Sequence, residues 1–197
     1  MGKNDKHLCP CGSGKRRKAC CGEVPRGKMP AMTRSTNLEM RRAVESLVEE
    51  GRHLEACDVL EKLAAVSPRN PLIWNDLGVQ YEAAGDIDKA LMALRRGHAV
   101  DSTYPPTLYN LGKFTLDRYT KLHKDGTLSE AEMQEMLGEA IGFLNANLDR
   151  DPDNADGHYA LALAYSLNRD EAMAVAHMTV ALRLKESLEA PSGWRIG

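Results

Sequence analysis

Apolar and small residues recur along this chain in one register, 34 positions apart. The clearest unit runs Trp74-x-x-Leu77-Gly78-x-x-Tyr81, then Gly85, Ala90, Leu94 and a turn at Asp101-Ser102. One period earlier stand Met40, Ala43, Val44, Leu47, Gly51, Ala56, Leu60 and Pro68; one period later stand Leu108, Leu111, Gly112 and Thr115. Spacings of three and four put such residues on one face of a helix, so each period predicts two helices packed face to face. Ala56 and Ala90 let the second helix approach the first, while Trp74, Leu77 and Tyr81 fill the space between them. Gly51 and Gly85 end the first helix of a pair at a position that favours positive φ. Pro68 stops a second helix, and Pro71 suits the first turn of the next.

The third and fourth units follow the register with changes. From Pro105 a long first helix is predicted to reach about His123, ending at the turn Lys124-Asp125-Gly126. Ser129 caps a second helix to about Leu148, with Glu130 to Glu132 at its positive end. The closing marks Ala140, Leu144 and Pro152 arrive about sixteen residues late. A fourth unit starts near Ala155 and shows Leu161, Ala162, Tyr165, Ala174, Met178 and Ala181, with His158 where the second unit has Trp74. A tail follows from Ser187, with Pro191, Gly193 and Trp194. No separate capping helix follows, so the last helix is expected to cap the array with its own polar face, including Arg183, Lys185 and Glu186.

This 34-residue pattern resembles the tetratricopeptide (TPR) repeat. The expected fold class is all-α: a TPR α-solenoid of about four helix pairs over residues 37–186, with repeats near 37–70, 71–104, 105–154 (carrying the insertion) and 155–186. The resemblance implies a concave groove lined by the first helix of each pair. Arg41, Asn75, Tyr109 and Tyr159 share one row there, and Glu45, Val79, Lys113 and Leu163 the next. Such a mixed surface suits an extended peptide or a helix. It departs from the dicarboxylate clamp of some TPR proteins, which needs Lys and Asn where Arg41 and Glu45 stand.

Charge and cysteine usage add a second module. The 197 residues carry a nominal charge of −2, but residues through Ser35 hold an excess of +7 and the remainder −9. Four of the five cysteines fall within thirteen positions, in Cys9-Pro10-Cys11-Gly12-Ser13-Gly14-Lys15-Arg16-Arg17-Lys18-Ala19-Cys20-Cys21-Gly22. Thiols this dense make a disulfide knot or a metal site, and the surrounding small residues favour metal, since their N–H groups are free to face sulfur. About twenty residues cannot bury a useful core, so metal would supply the folding energy of this end. Tetrahedral coordination by Cys9, Cys11, Cys20 and Cys21 leaves no open position for water, which makes the site structural. Zinc is the expected ion, and iron also suits four thiolates.

The string C-P-C-G-S-G-K-x-x-K-x-C-C-G resembles the SEC-C motif, the metal-binding tail of the Sec translocase ATPase. The resemblance covers residues 7–23 and implies bound zinc and contact with partners in protein handling. It implies no ATPase activity. Gly12-Ser13-Gly14-Lys15 is no phosphate loop either, because Cys9 stands where its first glycine belongs and no Ser/Thr follows the lysine. A stretch rich in Pro and Gly, 24–36, reads as a flexible linker.

Within the knuckle, Lys15, Arg16, Arg17 and Lys18 form a basic run that balances the thiolates and offers a docking surface for an acidic protein. The alternative partner is RNA or the ribosome, through phosphate contacts that would be salt-sensitive. The knuckle lacks aromatic residues for base stacking. Met1 to Leu8 is polar and basic, unlike a secretory signal, and no window reaches the roughly eighteen apolar residues of a membrane span. Reduced cysteines then place the chain in the cytoplasm. Neither half pairs a nucleophile with a base, so no catalysis and no small-molecule substrate are expected. Cys57 reads as a small core side chain, and the remaining histidines fall at no metal-ligand spacing. The reading is a non-enzymatic adaptor in bacterial protein targeting, secretion or quality control.

Overall fold

The computed structural model describes residues 34–185, which form eight α-helices and no strand. In chain order these are α1 (Arg34–Glu49), α2 (His53–Val66), α3 (Pro71–Ala83), α4 (Ile87–Val100), α5 (Pro105–Lys124), α6 (Glu130–Leu148), α7 (Ala155–Leu167) and α8 (Glu171–Leu184). The knuckle at 1–23 and the tail at 187–197 lie outside the described residues. The first helix starts three positions before the boundary expected from the sequence, at Arg34 rather than Asn37. No Pro or Gly lies between Pro30 and Gly51 to stop it, and Asn37 is spent inside the helix, its Oδ1 accepting from Arg41 Nε at 3.1 Å.

Side-chain caps open most of the helices. Asn70 and Asn154, 84 positions apart, cap α3 and α7 by accepting from the N–H of Leu72 and Gly157. Asp86 and Asp170, again 84 apart, cap α4 and α8 from Lys89 and Met173. Ser129 makes a full capping box with Glu132 at the head of α6. Those hydrogen bonds to Ser129 hold the Glu132 carboxyl below its ordinary value. Each cap satisfies amide groups that the helix itself leaves without partners.

The first helix of every pair ends the same way. The residue after the turn donates its N–H back to a carbonyl in the last turn of the helix: Arg52 to Leu47, Asp86 to Tyr81, Thr127 to Leu122 and Asp170 to Tyr165, at 2.8–3.2 Å. This closure needs a left-handed residue one position earlier. Gly51, Gly85 and Gly126 supply it at φ of 71°, 83° and 64°, whereas the fourth pair holds Arg169 there at φ 60°.

The described helices belong to two units, the first ending at Ser102 and the second beginning at Thr103. In the first, α1 pairs with α2, α3 pairs with α4, and α2 packs on α3. Its core holds Ala56, Leu60, Leu63, Ile73, Leu77, Ala90 and Leu94, all nearly inaccessible. In the second, α5 pairs with α6, α7 pairs with α8, and α6 packs on α7. Its core holds Leu116, Tyr119, Leu137, Ala140, Leu144, Leu161 and Ala164.

In the second and third pairs the helices approach so closely that an added methyl would meet the partner helix at one position. A Cβ at Gly78 would lie 2.6 Å from Leu94 Cγ, and one at Gly112 would lie 2.5 Å from Leu144 Cγ. Trp74, expected to fill the space between helices, instead sits half-buried at the rim. Its Nε1 donates to the Pro68 carbonyl at 2.8 Å, and Arg96 stacks over its ring at 5.2 Å. Tyr81 does pack inside, and its hydroxyl donates to Glu61 of α2 at 2.5 Å.

The insertion in the third unit lengthens both helices rather than making a loop. α5 has 20 residues and α6 has 19, against 13 and 14 for α3 and α4. The added turns carry their own apolar contacts, with Leu128, Met133 and Met136 packed against the unit's core. Thr115 stands where the register would place a tyrosine, and Phe114 beside it and Tyr119 one turn on are the buried aromatics of α5.

Asn147 joins three helices of the second unit. Its Nδ2 donates to the Pro105 carbonyl at the head of α5, and its Oδ1 accepts from Asn154 Nδ2 before α7, each at 3.0 Å. Asn154 Oδ1 in turn takes the Gly157 N–H at 2.9 Å. The side chain is 1% exposed, so both polar ends of its amide are satisfied out of water.

Two stability changes follow. Arg169→Gly relieves a left-handed side chain and is expected to raise stability by about 0.5–1 kcal/mol, read as a higher urea midpoint at unchanged slope. Gly112→Ala places a methyl against Leu144 and is expected to cost about 1–3 kcal/mol, seen as a lower midpoint, whereas Gly142→Ala, with nothing within 4 Å, should lose none.

Candidate peptide-binding face

The side chains anticipated as a partner surface fall on the odd-numbered helices, two of them in each unit. In the first unit the row passes through Arg41 on α1 and Asn75 and Val79 on α3. Arg41 and Val79 are half-buried, but Asn75 is only 7% exposed. The Asn75 amide hydrogen-bonds the neighbouring Asp76 carboxylate. Burial raises the pKa of Asp76, and this hydrogen bond and the Arg41 charge oppose the rise. Asn75 is thus buried beside Asp76, and Arg41, Glu45 and Asp76 are charged groups of this face.

In the second unit the row passes through Tyr109 and Lys113 on α5 and Tyr159 on α7, all half-buried. The Tyr109 phenol is pushed up to about 12, first by burial and then by the carboxylates of Asp156 and Asp117. It thus remains an O–H donor throughout the neutral range. Lys113 Nζ donates to Asp117 Oδ2 at 2.8 Å and lies 5.0 Å from the Phe114 ring centroid. Asp156 accepts from Lys185 Nζ at 3.0 Å. These ion pairs are exposed and hold geometry more than they add stability. Tyr109 and Tyr159 each stand one turn into a helix whose head is bound into the Asn147 amide chain, so their Cα positions are set by buried hydrogen bonds.

The arrangement supplies phenol rings as apolar platforms, with hydroxyl, carboxylate and ammonium groups beside them. Rings of this kind bind with little loss of side-chain freedom, and the polar groups match the amides of a bound chain. Asp76, Asp117, Asp156 and Lys185 were not singled out from the sequence as parts of this face. Only Asp117 carried a signal, standing four residues after Lys113 on one helix face.

Cys9, Cys11, Cys20 and Cys21, and the basic run Lys15, Arg16, Arg17 and Lys18, lie outside the described residues. Among the described residues no group of three or more His, Cys, Asp or Glu is placed to hold a metal ion. Cys57 is 2% exposed, and burial, with Glu61 and Asp58 adding to it, pushes its thiol up to about 11. It is a core side chain rather than a reactive thiolate. No helix of the described residues is long and apolar enough to cross a membrane.

No protein-family model matches the chain, and no curated protein matches it. Solved structures do. A MamA fragment from Desulfovibrio magneticus RS-1 is 18% identical over 76% of each chain, with a TM-score of 0.64. TTC0263, described as a thermophilic TPR protein in Thermus thermophilus, is 20% identical over 76% of this chain and 75% of that one, also at 0.64. YrrB, described as a TPR protein with an unusual peptide-binding site, is 20% identical over 78% of this chain and 71% of that one, at 0.58. At such identities the likeness concerns the backbone, and what it establishes is that the helical part of this chain has the fold of the tetratricopeptide-repeat proteins.

Proposed function

We propose that this chain is a non-catalytic adaptor that joins two proteins. Each unit of its helical repeats offers a face for an extended peptide or a helix of a partner, with Arg41, Asn75, Asp76 and Val79 in the first and Tyr109, Lys113 and Tyr159 in the second. The observation that carries this reading is the second unit's face, where two half-buried tyrosines stand on adjacent odd-numbered helices among Lys113, Asp117 and Asp156. The peptide-binding site ascribed to YrrB supports the same use of the fold.

The knuckle is the second docking element. Cys9, Cys11, Cys20 and Cys21 hold one zinc ion, or iron in its place, and the metal keeps Lys15, Arg16, Arg17 and Lys18 in one basic surface. The resemblance of this segment to the SEC-C motif supports a setting in protein targeting, secretion or quality control. Two modules on one chain raise the local concentration of each for the other's target.

A photo-reactive amino acid in place of Tyr109 or Tyr159 is expected to give discrete cross-links to one peptide segment, and Glu135, exposed on α6, serves as the control position. Tyr159→Ala should weaken that partner by about 1–2 kcal/mol. Cross-links equal at the control position would overturn the reading. Elemental analysis of the full chain should find about one metal per molecule, lost in the Cys9→Ser/Cys20→Ser variant. Metal-free protein that keeps both partners would remove the knuckle from the proposal. Capture of nucleic acid instead, with affinity falling steeply with salt, would assign the basic run to phosphates.

A further inference from the structure

The register that relates α3–α4 to α7–α8 carries His158 where Trp74 stands and His177 where Ala93 stands, each 84 positions on. His158 reproduces the tryptophan's rim contact. Its Nε2 meets the Pro152 carbonyl at 3.0 Å, as Trp74 Nε1 meets Pro68. The second change adds a contact that the tryptophan pair lacks: His158 Nδ1 and His177 Nδ1 are 2.9 Å apart. The ring centroids, 5.1 Å apart, are separated by nearly that distance plus two ring radii, the largest value possible, so the nitrogens point at each other. Tyr165 of α7 stacks on the His177 ring, at 5.6 Å and 13°.

The proton positions follow from donor and acceptor counting. A carbonyl only accepts, so His158 carries its hydrogen on Nε2. Its Nδ1 is then bare when the ring is neutral, and His177 must donate from Nδ1. One extra proton can be held on His177 Nε2 with this hydrogen bond intact. A second cannot, because both Nδ1 atoms would then carry hydrogens and two cations would face each other.

We propose that His158 and His177 form a proton-controlled clasp, which fastens α8 to α7 while the imidazoles are neutral and releases it as the pair takes up protons. The groups facing His177 from α7 are His158 and Tyr165. Burial first, and His158 second, lower the pKa of His177. The other charged side chains of the packed segments are Glu130, Glu132, Glu135 and Glu139 of α6 and Asp149, Arg150, Asp151, Asp153, Asp156, Arg169, Asp170, Glu171, Arg183 and Lys185, and none of them is among the causes of that shift. Asp156 is paired with Lys185. A histidine that binds protons less readily folded than unfolded contributes stability above its ordinary value of 6.5 and loses it as pH falls through the folded value. The clasp is therefore closed in neutral solution, keeps its hydrogen bond through the first proton, and opens on the acid side when the second is taken up.

Hydrogen exchange of the full chain between about pH 8 and pH 5 tests this. After correction for intrinsic rates, protection of α8 relative to the second half of α6, which has no histidine, should fall about tenfold in the acid arm. The His158→Trp/His177→Ala variant rebuilds the Trp74/Ala93 arrangement and should hold a constant ratio. A constant ratio in the unmodified chain, or an equal fall in the variant, overturns the proposal. Nitrogen-15 spectra of the imidazoles provide a reading without substitution: hydrogen on His158 Nε2 and on His177 Nδ1 at neutral pH is required, and any other tautomer pair refutes the clasp.

Discussion

Close approach of the two helices in each pair is the constraint on which the rest depends. In the second and third pairs a bare glycine Cα on the first helix meets a leucine on the second, Gly78 against Leu94 and Gly112 against Leu144. Ala90 and Ala140 keep the same interface thin from the other side. At that separation the large side chains are forced outward, toward the neighbouring pair or toward the rim. Leu63 of α2 and Ile73 of α3 are fully buried in the first unit, as are Leu144 of α6 and Leu161 of α7 in the second. Within each unit, partly buried side chains of the odd-numbered helices carry the face proposed for partners.

The second unit shows how polar groups refine this apolar plan. Asn147 occupies the register of a glycine, Gly97 in the second pair, and fills the space with a doubly bonded amide. A buried amide is stabilising only when both ends are partnered, so it ties the heads of α5 and α7 to one geometry. The tyrosines one turn further on inherit that geometry. His158 and His177 likewise exchange an apolar rim for a polar contact, but theirs depends on protons. The same scaffold thus carries one polar joint that is permanent and one that is conditional.

The basic knuckle and the acidic body divide the labour proposed for the chain. Four cysteines and four consecutive cationic residues fall within one short segment, and the proposal gives them a metal-stiffened docking surface. The helical body carries the reverse charge and a face of phenols and carboxylates. Opposite charge on two modules of one chain favours different partners for each.

The helix pairs were legible in the sequence because their determinants are local and periodic. Trp74, Leu77, Gly78 and Tyr81 declare one helix, Gly85 ends it, and Ala90 and Leu94 declare its partner; Ser129, with the acidic residues that follow it, announces the head of α6. Contacts that join residues distant along the chain were not legible. Asn75 looked like a surface residue, and only packing shows it buried beside Asp76. Trp74 looked like core filling, yet a backbone carbonyl at Pro68 holds it at the rim. His158 and His177, 19 positions apart, meet only once α7 and α8 are laid side by side. Repetition wrote the helices and their order into the amino-acid sequence; which polar atoms meet across them depended on distances of about 3 Å that tertiary packing alone could set.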